Sequence, residues 1–449
     1  MDRRRLLGYS AAGLAGAGLA TTGLSACAPP AAPRVNTEPA IPPASGKIKL
    51  TYWAWLKDLQ KVCDIWNAEH PEVEVEAVWI PGGNDGGYQK MFAALASGGG
   101  PDIGQIEMRT VPQYLLVNGL VDLSRYGIEQ YADRYNEAIW NQCTFDGSTY
   151  AVPQDSGPTA FYYQTESLRQ VGAEPPKTWD AWAELAVEIR KTGKSNYLEC
   201  FDVSDPSGFV SYVTQAGASW FTPGDDGWRV DMTDEATMEV ARFFDRAIDK
   251  DLVNTGFGAF SPGWTAAAAA GQIAAVTNAS WGDALIQTVG GGEGKWKVAP
   301  MQRWSFGGYG SSQLGGSTAA VLATSKHPKE AMEFAVWMTT SKEGIDAMVE
   351  HCGIGWSPND AYIGASREKP SPWFSGQSYN TEIFKPAAQQ QNRRWTWCPI
   401  TQQLFNILGD GFRQKLTDGK TLVDSVVQAQ DRVLETMRQM GLSVTAAAR

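Results

Sequence analysis

From residue 48 onward the spacing of apolar positions changes period several times. Ile48 to Leu56 read as a strand that ends in aromatics, Trp53 and Trp55 among them. From Leu59 the apolar residues Leu59, Val62, Cys63 and Trp66 recur at helical intervals, and Pro71 follows the end. Val73, Val75 and Ala77 then alternate with Glu, as a strand does. Pro81 to Gly87 is a Gly-rich loop, Tyr88 to Ser97 a helix stopped by Gly98-Gly99-Gly100-Pro101, and Asp102 to Glu107 a buried strand. This βαβαβ order predicts a mostly parallel sheet covered by helices. Further helices are predicted at Trp179 to Lys191, Asp234 to Lys250, Pro328 to Thr339 and Thr421 to Met440, the last opened by a Thr421/Asp424 capping box. No short internal repeat interrupts this alternation.

The chain is 449 residues long with 43% hydrophobic residues, enough for two sizeable cores and two or three domain-sized units. Net charge is −11; removing residues 1–26 takes away Arg3, Arg4, Arg5 and Asp2 and leaves −13. An acidic chain without a Lys/Arg cluster lacks the positive charge that phosphate contacts need, so no nucleic-acid partner is expected. Tryptophan is the outlier, at 18 residues. Many of these belong in a core. A solvent-facing indole is also a rigid apolar plate with one N–H donor, which complements the C–H face and polar rim of a sugar ring.

The N-terminal residues change the picture from a fold to an address. Asp2-Arg3-Arg4-Arg5-Leu6-Leu7 is basic and opens a Leu/Ala/Gly run to Ala26, the layout of a secretory signal over residues 1–26. Its Arg pair resembles a twin-arginine signal but lacks the preceding Ser/Thr, which leaves the Sec and twin-arginine routes both open. Leu24-Ser25-Ala26-Cys27 resembles a bacterial lipobox, in which Cys27 is lipidated and becomes the new N-terminus. The alternative, a permanent N-terminal membrane helix, is weakened by the Gly and Ala content of residues 6–26. Residues 27–46 are Pro-rich, without helical period, and read as a lipid-anchored tether. The remaining cysteines, Cys63, Cys143, Cys200, Cys352 and Cys398, are odd in number, so at least one thiol stays free. His70, His327 and His351 are scattered without metal-ligand spacing, and no metal or cofactor is expected.

Several segments in fixed order carry a resemblance. They are Tyr52-Trp53-Ala54-Trp55 with the run from Asp64 to Pro71, then Ala96 to Ile103, then Tyr150 to Pro158. Asn278 to Gly282, Trp296 to Met301, Gly315-Gly316-Ser317 and Ser325 to Ala331 follow. Together they make residues 47 to 440 similar to the extracellular solute-binding family of ABC importers that includes maltose-binding protein and actinobacterial sugar-binding lipoproteins. The resemblance implies an α/β fold of two lobes, the type II periplasmic-binding-protein fold, with the ligand in the cleft between them. It places chain crossings near Pro153 to Pro158 and Lys297 to Gln302. Lobe 1 is then 47–155 and 298–342, and lobe 2 is 156–297 and 343–449.

The same resemblance nominates ligand contacts. Trp55 sits at a strand's C-terminal end, where open α/β sheets bind ligands. Glu107 ends a buried strand, where its carboxylate can accept sugar hydroxyls, cap a helix or pair with a cation. Gln154 and Asp155 fall at the first crossing, and Trp281 matches the family's stacking aromatic. Gly316 and Ser317 either let backbone approach the ligand or form a tight turn. Trp397, beside Trp395, matches a late aromatic that closes over the sugar; Trp356, Tyr88 and Trp53 are lesser candidates. Leu56 and Lys57 stand where relatives often carry an Asp after the Trp55 position.

The function so implied is capture of a mono- or oligosaccharide by hinge closure and delivery to ABC permease subunits, by a monomer that is not an enzyme. A competing reading keeps the fold and binds a glycerophosphodiester or another non-sugar solute, using Arg109, Arg393 and Arg394. A hydrolase or lyase fits less well. Gly315-Gly316-Ser317-Thr318-Ala319 lacks the last Gly of a nucleophile elbow. Gln414 stands where a P-loop ending at Lys420-Thr421 needs Gly.

Overall fold

The computed structural model describes residues 46–447 apart from Asp225, and Asn84 in its backbone only. The expected signal segment, Cys27 and the tether up to residue 45 lie outside the described residues. The chain opens with β1 (Ile48–Ala54), α1 (Leu59–Glu69), β2 (Val73–Trp79), α2 (Gly87–Ala96) and β3 (Ile103–Glu107), the order that the periodicity predicts. Along β1, Ile48, Leu50, Tyr52 and Ala54 are buried while the residues between them are not, so the strand commits one face to a core. β1 runs parallel to β2 over seven pairs and parallel to β3 on its other side.

Two more strands complete this sheet from distant sequence. They are β4 (Val152–Pro153) and, after the second lobe, β8 (Ser317–Val321), giving the order β2-β1-β3-β8-β4. β8 is antiparallel to β3, with Ser317 opposite Glu107. Cores form on both faces. One holds Leu59, Val62 and Trp66 of α1; the other holds Met91, Ile106 and Tyr114.

The second sheet contains β5 (Thr159–Gln164), β6 (Ala275–Ala279) and β7 (Trp296–Pro300), with β5 in the middle and both neighbours antiparallel to it. Helices α3 (Trp179–Thr192), α4 (Ser207–Ala216) and α5 (Glu235–Asp249) share a large aromatic core with α9 (Thr401–Thr417) and α10 (Leu422–Gln439). Helix α6 (Gly282–Ile286) lies between β6 and β7, and α7 (Pro328–Thr340) and α8 (Lys342–Ala347) follow β8. The tryptophan excess is mostly core packing: Trp179, Trp182, Trp220, Trp228, Trp264, Trp296 and Trp356 are all under 2% exposed. Trp356, weighed as a cleft aromatic, is one of them.

The chain passes between the sheets three times. The first passage follows β4 at residues 154–158. The second comes later than the resemblance places it. Val298, Ala299 and Pro300 pair with Tyr162, Phe161 and Ala160 of β5, so the chain stays in the second lobe through β7 and rejoins the first sheet only at Ser317. The third also comes later: Ile345, Met348, Val349 and Ile354 still pack in the first lobe's core, and Trp356 is the first residue committed to the second. The passages are bonded side by side. Ser156 N donates to Trp356 O at 3.1 Å, Leu314 N to Gly157 O at 2.9 Å and Gln154 N to Ser317 O at 2.9 Å.

Candidate functional site

A cavity of about 320 Å³ lies between the two lobes, beside the second passage. The first lobe contributes Glu107, the last residue of β3, and Arg109 just beyond it. This is the carboxyl end of a sheet strand, the usual ligand position in open α/β sheets. The second lobe contributes the start of α4, the end of β6 at Asn278, Trp281, and the late aromatics Trp397 and Phe405. The second passage closes the cavity's back with residues 313–316.

Four of the nominated residues meet there: Glu107, Trp281, Gly316 and Trp397. Glu107 Oε2 accepts from Tyr88 OH and from Arg109 Nη2, both at 2.8 Å. Among the described residues nothing bonds Oε1, and the side chain is one-fifth exposed. Trp281 is held by Nε1–H donating to Leu314 O at 2.9 Å and by the edge of Phe260 at 5.9 Å. Its backbone lies so close to the third passage that a Cβ on Gly355 would stand 2.4 Å from Trp281 N, which only glycine avoids. Gly316 has φ 110°, and its carbonyl accepts from Met108 N, so this glycine turns the second passage into β8.

Trp55, Gln154, Asp155 and Ser317 stand outside the lining, for identifiable reasons. Trp55 packs half-buried against the Tyr88 ring at 6.0 Å, so it supports the residue that holds Glu107. Gln154 is fully buried and accepts from Tyr52 OH. Asp155 Oδ1 accepts from Ser317 N at 2.7 Å, and Ser317 Oγ accepts from Gln105 Nε2 at 3.2 Å. These three bind the passages to one another. Trp395 is buried in the second lobe's core and meets Trp397 edge-on, while Trp53 lies beneath Lys90.

Burial pushes the Asp155 carboxyl up to about 6, with the Glu107 charge adding to the rise and the Ser317 N–H opposing it. The folded chain therefore holds this proton more tightly than the unfolded chain does. The stabilisation is fully present below the unfolded value of about 3.9 and is lost as pH rises through about 6. Asp155→Asn is expected to flatten that fall, which is on the order of 2 kcal/mol. Urea unfolding of both proteins at pH 4 and pH 7.5 measures it, and identical pH dependence would disprove the assignment.

Carboxylates dominate the cavity's charge. Glu107, Glu199, Asp202 and Asp205 face a single cation, Arg109, already paired with Glu107 and lying 4.9 Å over the Phe405 ring. Glu199 is 3% exposed and accepts from Trp182 Nε1 at 2.6 Å and Thr277 Oγ1 at 3.0 Å; burial nonetheless raises its pKa. Asp202 accepts from Ser204 N at 2.8 Å within its own turn. Arg393 and Arg394 are exposed, and Arg393 pairs with Glu137 at 2.6 Å. The cations that a phosphodiester would use are thus dispersed. Cys63, Cys143, Cys200, Cys352 and Cys398 are all free thiols, Cys200 lining the cavity.

Sequence reasoning missed Phe260, Phe405, Asn278 and Gln313. Asn278 lies three residues before Trp281, a spacing that marks it in hindsight. Phe260 carries no such signal; its φ of 63° is a backbone strain visible only in the fold.

The family described as bacterial extracellular solute-binding protein matches residues 50–345. This chain belongs to that family. Among curated relatives of this solute-binding protein, a lactose-binding protein of Rhizobium radiobacter is 26% identical over 354 residues, 74% of this chain and 80% of the relative. An arabinooligosaccharide-binding protein of Halalkalibacterium halodurans is 25% identical over 395 residues, 83% of this chain and 85% of the relative. Among solved structures, the galacto-N-biose/lacto-N-biose I-binding protein of an ABC transporter of Bifidobacterium longum superposes with a TM-score of 0.79 at 24% identity, covering 90% of this chain and all of that one. A binding protein of B. animalis subsp. lactis in complex with β-1,6-galactobiose reaches 0.73 at 25% identity, over 89% of this chain and all of that one. The solute-binding protein thus has the two-lobed type II fold, and its curated relatives are binding proteins, not enzymes.

Proposed function

We propose that this solute-binding protein captures a mono- or oligosaccharide between its lobes and delivers it to the membrane subunits of an ABC importer. The observation that carries the reading is the cavity's composition: Trp281, Trp397, Phe260 and Phe405 beside carboxylate and amide groups, with no uncommitted cation among its lining residues. Aromatic plates cover the C–H faces of pyranose rings, and the polar rim exchanges hydrogen bonds with their hydroxyls. At about 320 Å³ the cavity lies at the lower end of the usual ligand-pocket range of roughly 300–1,000 Å³, in keeping with a short saccharide. The relatives named for lactose, arabino-oligosaccharides and galactobiose support the same class.

In this reading Trp281 and Trp397 stack on the sugar, Glu107 Oε1 accepts from its hydroxyls, and Gly316 lets the second passage approach it. Gln154, Asp155 and Ser317 act at the hinge, and Trp55 acts through Tyr88. Sugar contacting both lobes favours the closed form by its differential affinity for that form, and hinge closure around ligand is a recognised behaviour of periplasmic binding proteins. The protein is exported and held at the outer face of the cytoplasmic membrane through lipidated Cys27. Mass spectrometry of the mature N-terminus would find acyl chains there.

Intrinsic Trp fluorescence, titrated with lactose, β-1,6-galactobiose, arabino-oligosaccharides and a glycerophosphodiester, tests the ligand class. A saturable spectral shift with at least one saccharide and none with the phosphodiester is expected. The reverse pattern would replace the sugar reading, and release of reducing sugar by the purified protein would revive a hydrolase.

A further inference from the structure

Trp397 reaches the cavity from the second lobe, yet its polar edge is held by the first. It lies in the segment between residues 389 and 400, which has no regular secondary structure beyond turns, just ahead of α9. Its ring neighbours, Trp395 at 5.3 Å and 85° and Phe405 at 6.1 Å and 62°, meet it edge-on. Such contacts fill space without fixing which way the indole N–H points. That direction is set by one hydrogen bond, Nε1–H to Gln142 Oε1 at 2.8 Å.

Gln142 is itself tightly held. It is 4% exposed, in the turn Asn141–Cys143, whose neighbours Ile139, Cys143 and Phe145 belong to the first lobe's core. Its Nε2 donates to Ala138 O at 3.0 Å and to Gln313 Oε1 at 2.6 Å. Gln313 lies in the second passage and lines the cavity, and its own Nε2 donates to Gly315 O at 3.0 Å. Every bond in this chain fits one amide orientation: Gln142 offers its oxygen to the indole and its NH₂ group to the passage. One buried amide therefore joins the aromatic wall of one lobe, the body of the other and the strap between them.

We propose that Gln142 is a positioning residue for ligand recognition, orienting Trp397 across the lobe boundary and tying that orientation to the second passage at Gln313. It touches no ligand and acts through Trp397. The inference rests on the sugar reading for its affinity consequence, and on geometry alone for the orientation of the indole.

The test uses the full soluble chain with Gln142→Met, which keeps an unbranched side chain and removes both polar partners, and with Trp397→Phe, alone and combined. In spectra of ¹⁵N-Trp-labelled protein without ligand, Gln142→Met should shift the Trp397 indole N–H signal, assigned by its loss in Trp397→Phe. It should also speed that proton's exchange about tenfold or more, since its hydrogen bond is gone. Buried indoles remote from Trp397, such as Trp264 and Trp296, should stay unchanged, which a general loss of stability would not allow. With lactose as the probe, Gln142→Met should weaken binding about tenfold in the native background and much less on top of Trp397→Phe. An unmoved Trp397 signal, or an equal loss in both backgrounds, overturns the proposal. If the unmodified protein ignores lactose, that result counts against lactose as the sugar, and the indole signal still decides the role of Gln142. Should Gln142→Met fold poorly, Gln142→Glu keeps an acceptor for the indole and is expected to retain the Trp397 signal; its loss there would equally count against the assignment.

Discussion

Trp281→Ala is expected to weaken saccharide binding roughly a hundredfold. An indole buries about 150–250 Å² when fully covered, and covering half of it with a sugar face is worth about 2–3 kcal/mol at 25 cal/mol per Å². Central aromatic anchors lose comparable amounts on truncation. Trp281 is suited to this role because its indole is fixed before ligand arrives, by Leu314 O on its N–H and Phe260 on its edge. The cost to the fold should be small, since the side chain is only partly buried and belongs to no hydrophobic core. Isothermal titration with the saccharide that gives the strongest fluorescence response, alongside urea unfolding, separates the two effects. Unchanged affinity would remove Trp281 from the site.

Arg367→Met should have the largest effect on stability, a loss of about 3–5 kcal/mol. The Arg367 guanidinium pairs with Asp283 Oδ2, and Tyr379 OH donates to the same oxygen at 2.6 Å. The Asp283 side chain is 1% exposed, so removing the cation leaves a carboxylate with neither water nor a counter-charge. Arg367 also donates to Ile354 O at 2.9 Å, one residue before Gly355, whose backbone lies against that of Trp281. The pair thus braces the third passage against the aromatic wall, and sugar affinity should fall as well. Adding Asp283→Asn to Arg367→Met should recover part of the lost stability, because the stranded charge disappears. If the double variant unfolds at lower urea than the single one, the buried-charge explanation is wrong.

The first lobe's opening was legible in the chain. Alternation at Val73, Val75 and Ala77 and helical spacing at Leu59, Val62, Cys63 and Trp66 predict β2 and α1 where they lie, because local periodicity decides which face of an element turns inward. Thr421 caps α10 through Asp424 N at 2.9 Å, as its capping-box residues require. The predicted mostly parallel sheet holds in the first lobe: β4 is antiparallel to β8 and so runs with β1, β2 and β3. Only β8 is reversed there, entering from far along the chain, while the second sheet is antiparallel throughout, which no local pattern announces.

The site divides along the same line. Sequence alone determined residue chemistry and local element: an aromatic at 281, a carboxylate ending β3, glycines in the second passage, and the family's two-lobed plan. Only the tertiary structure decided which of these share a cavity. Trp55 follows β1 and Glu107 ends β3 at the same edge of one sheet, yet Glu107 lines the cavity and Trp55 backs Tyr88. Periodicity gives a side chain's face and says nothing of what the chain's distant parts bring against it. The late passages had the same cause. Val298 could pair with either sheet by its pattern; in the fold its strand pairs with β5, Val298 standing opposite Tyr162, and the Gln377 amide takes up the backbone N–H and C=O of Val298, since a buried strand settles where its backbone groups are satisfied.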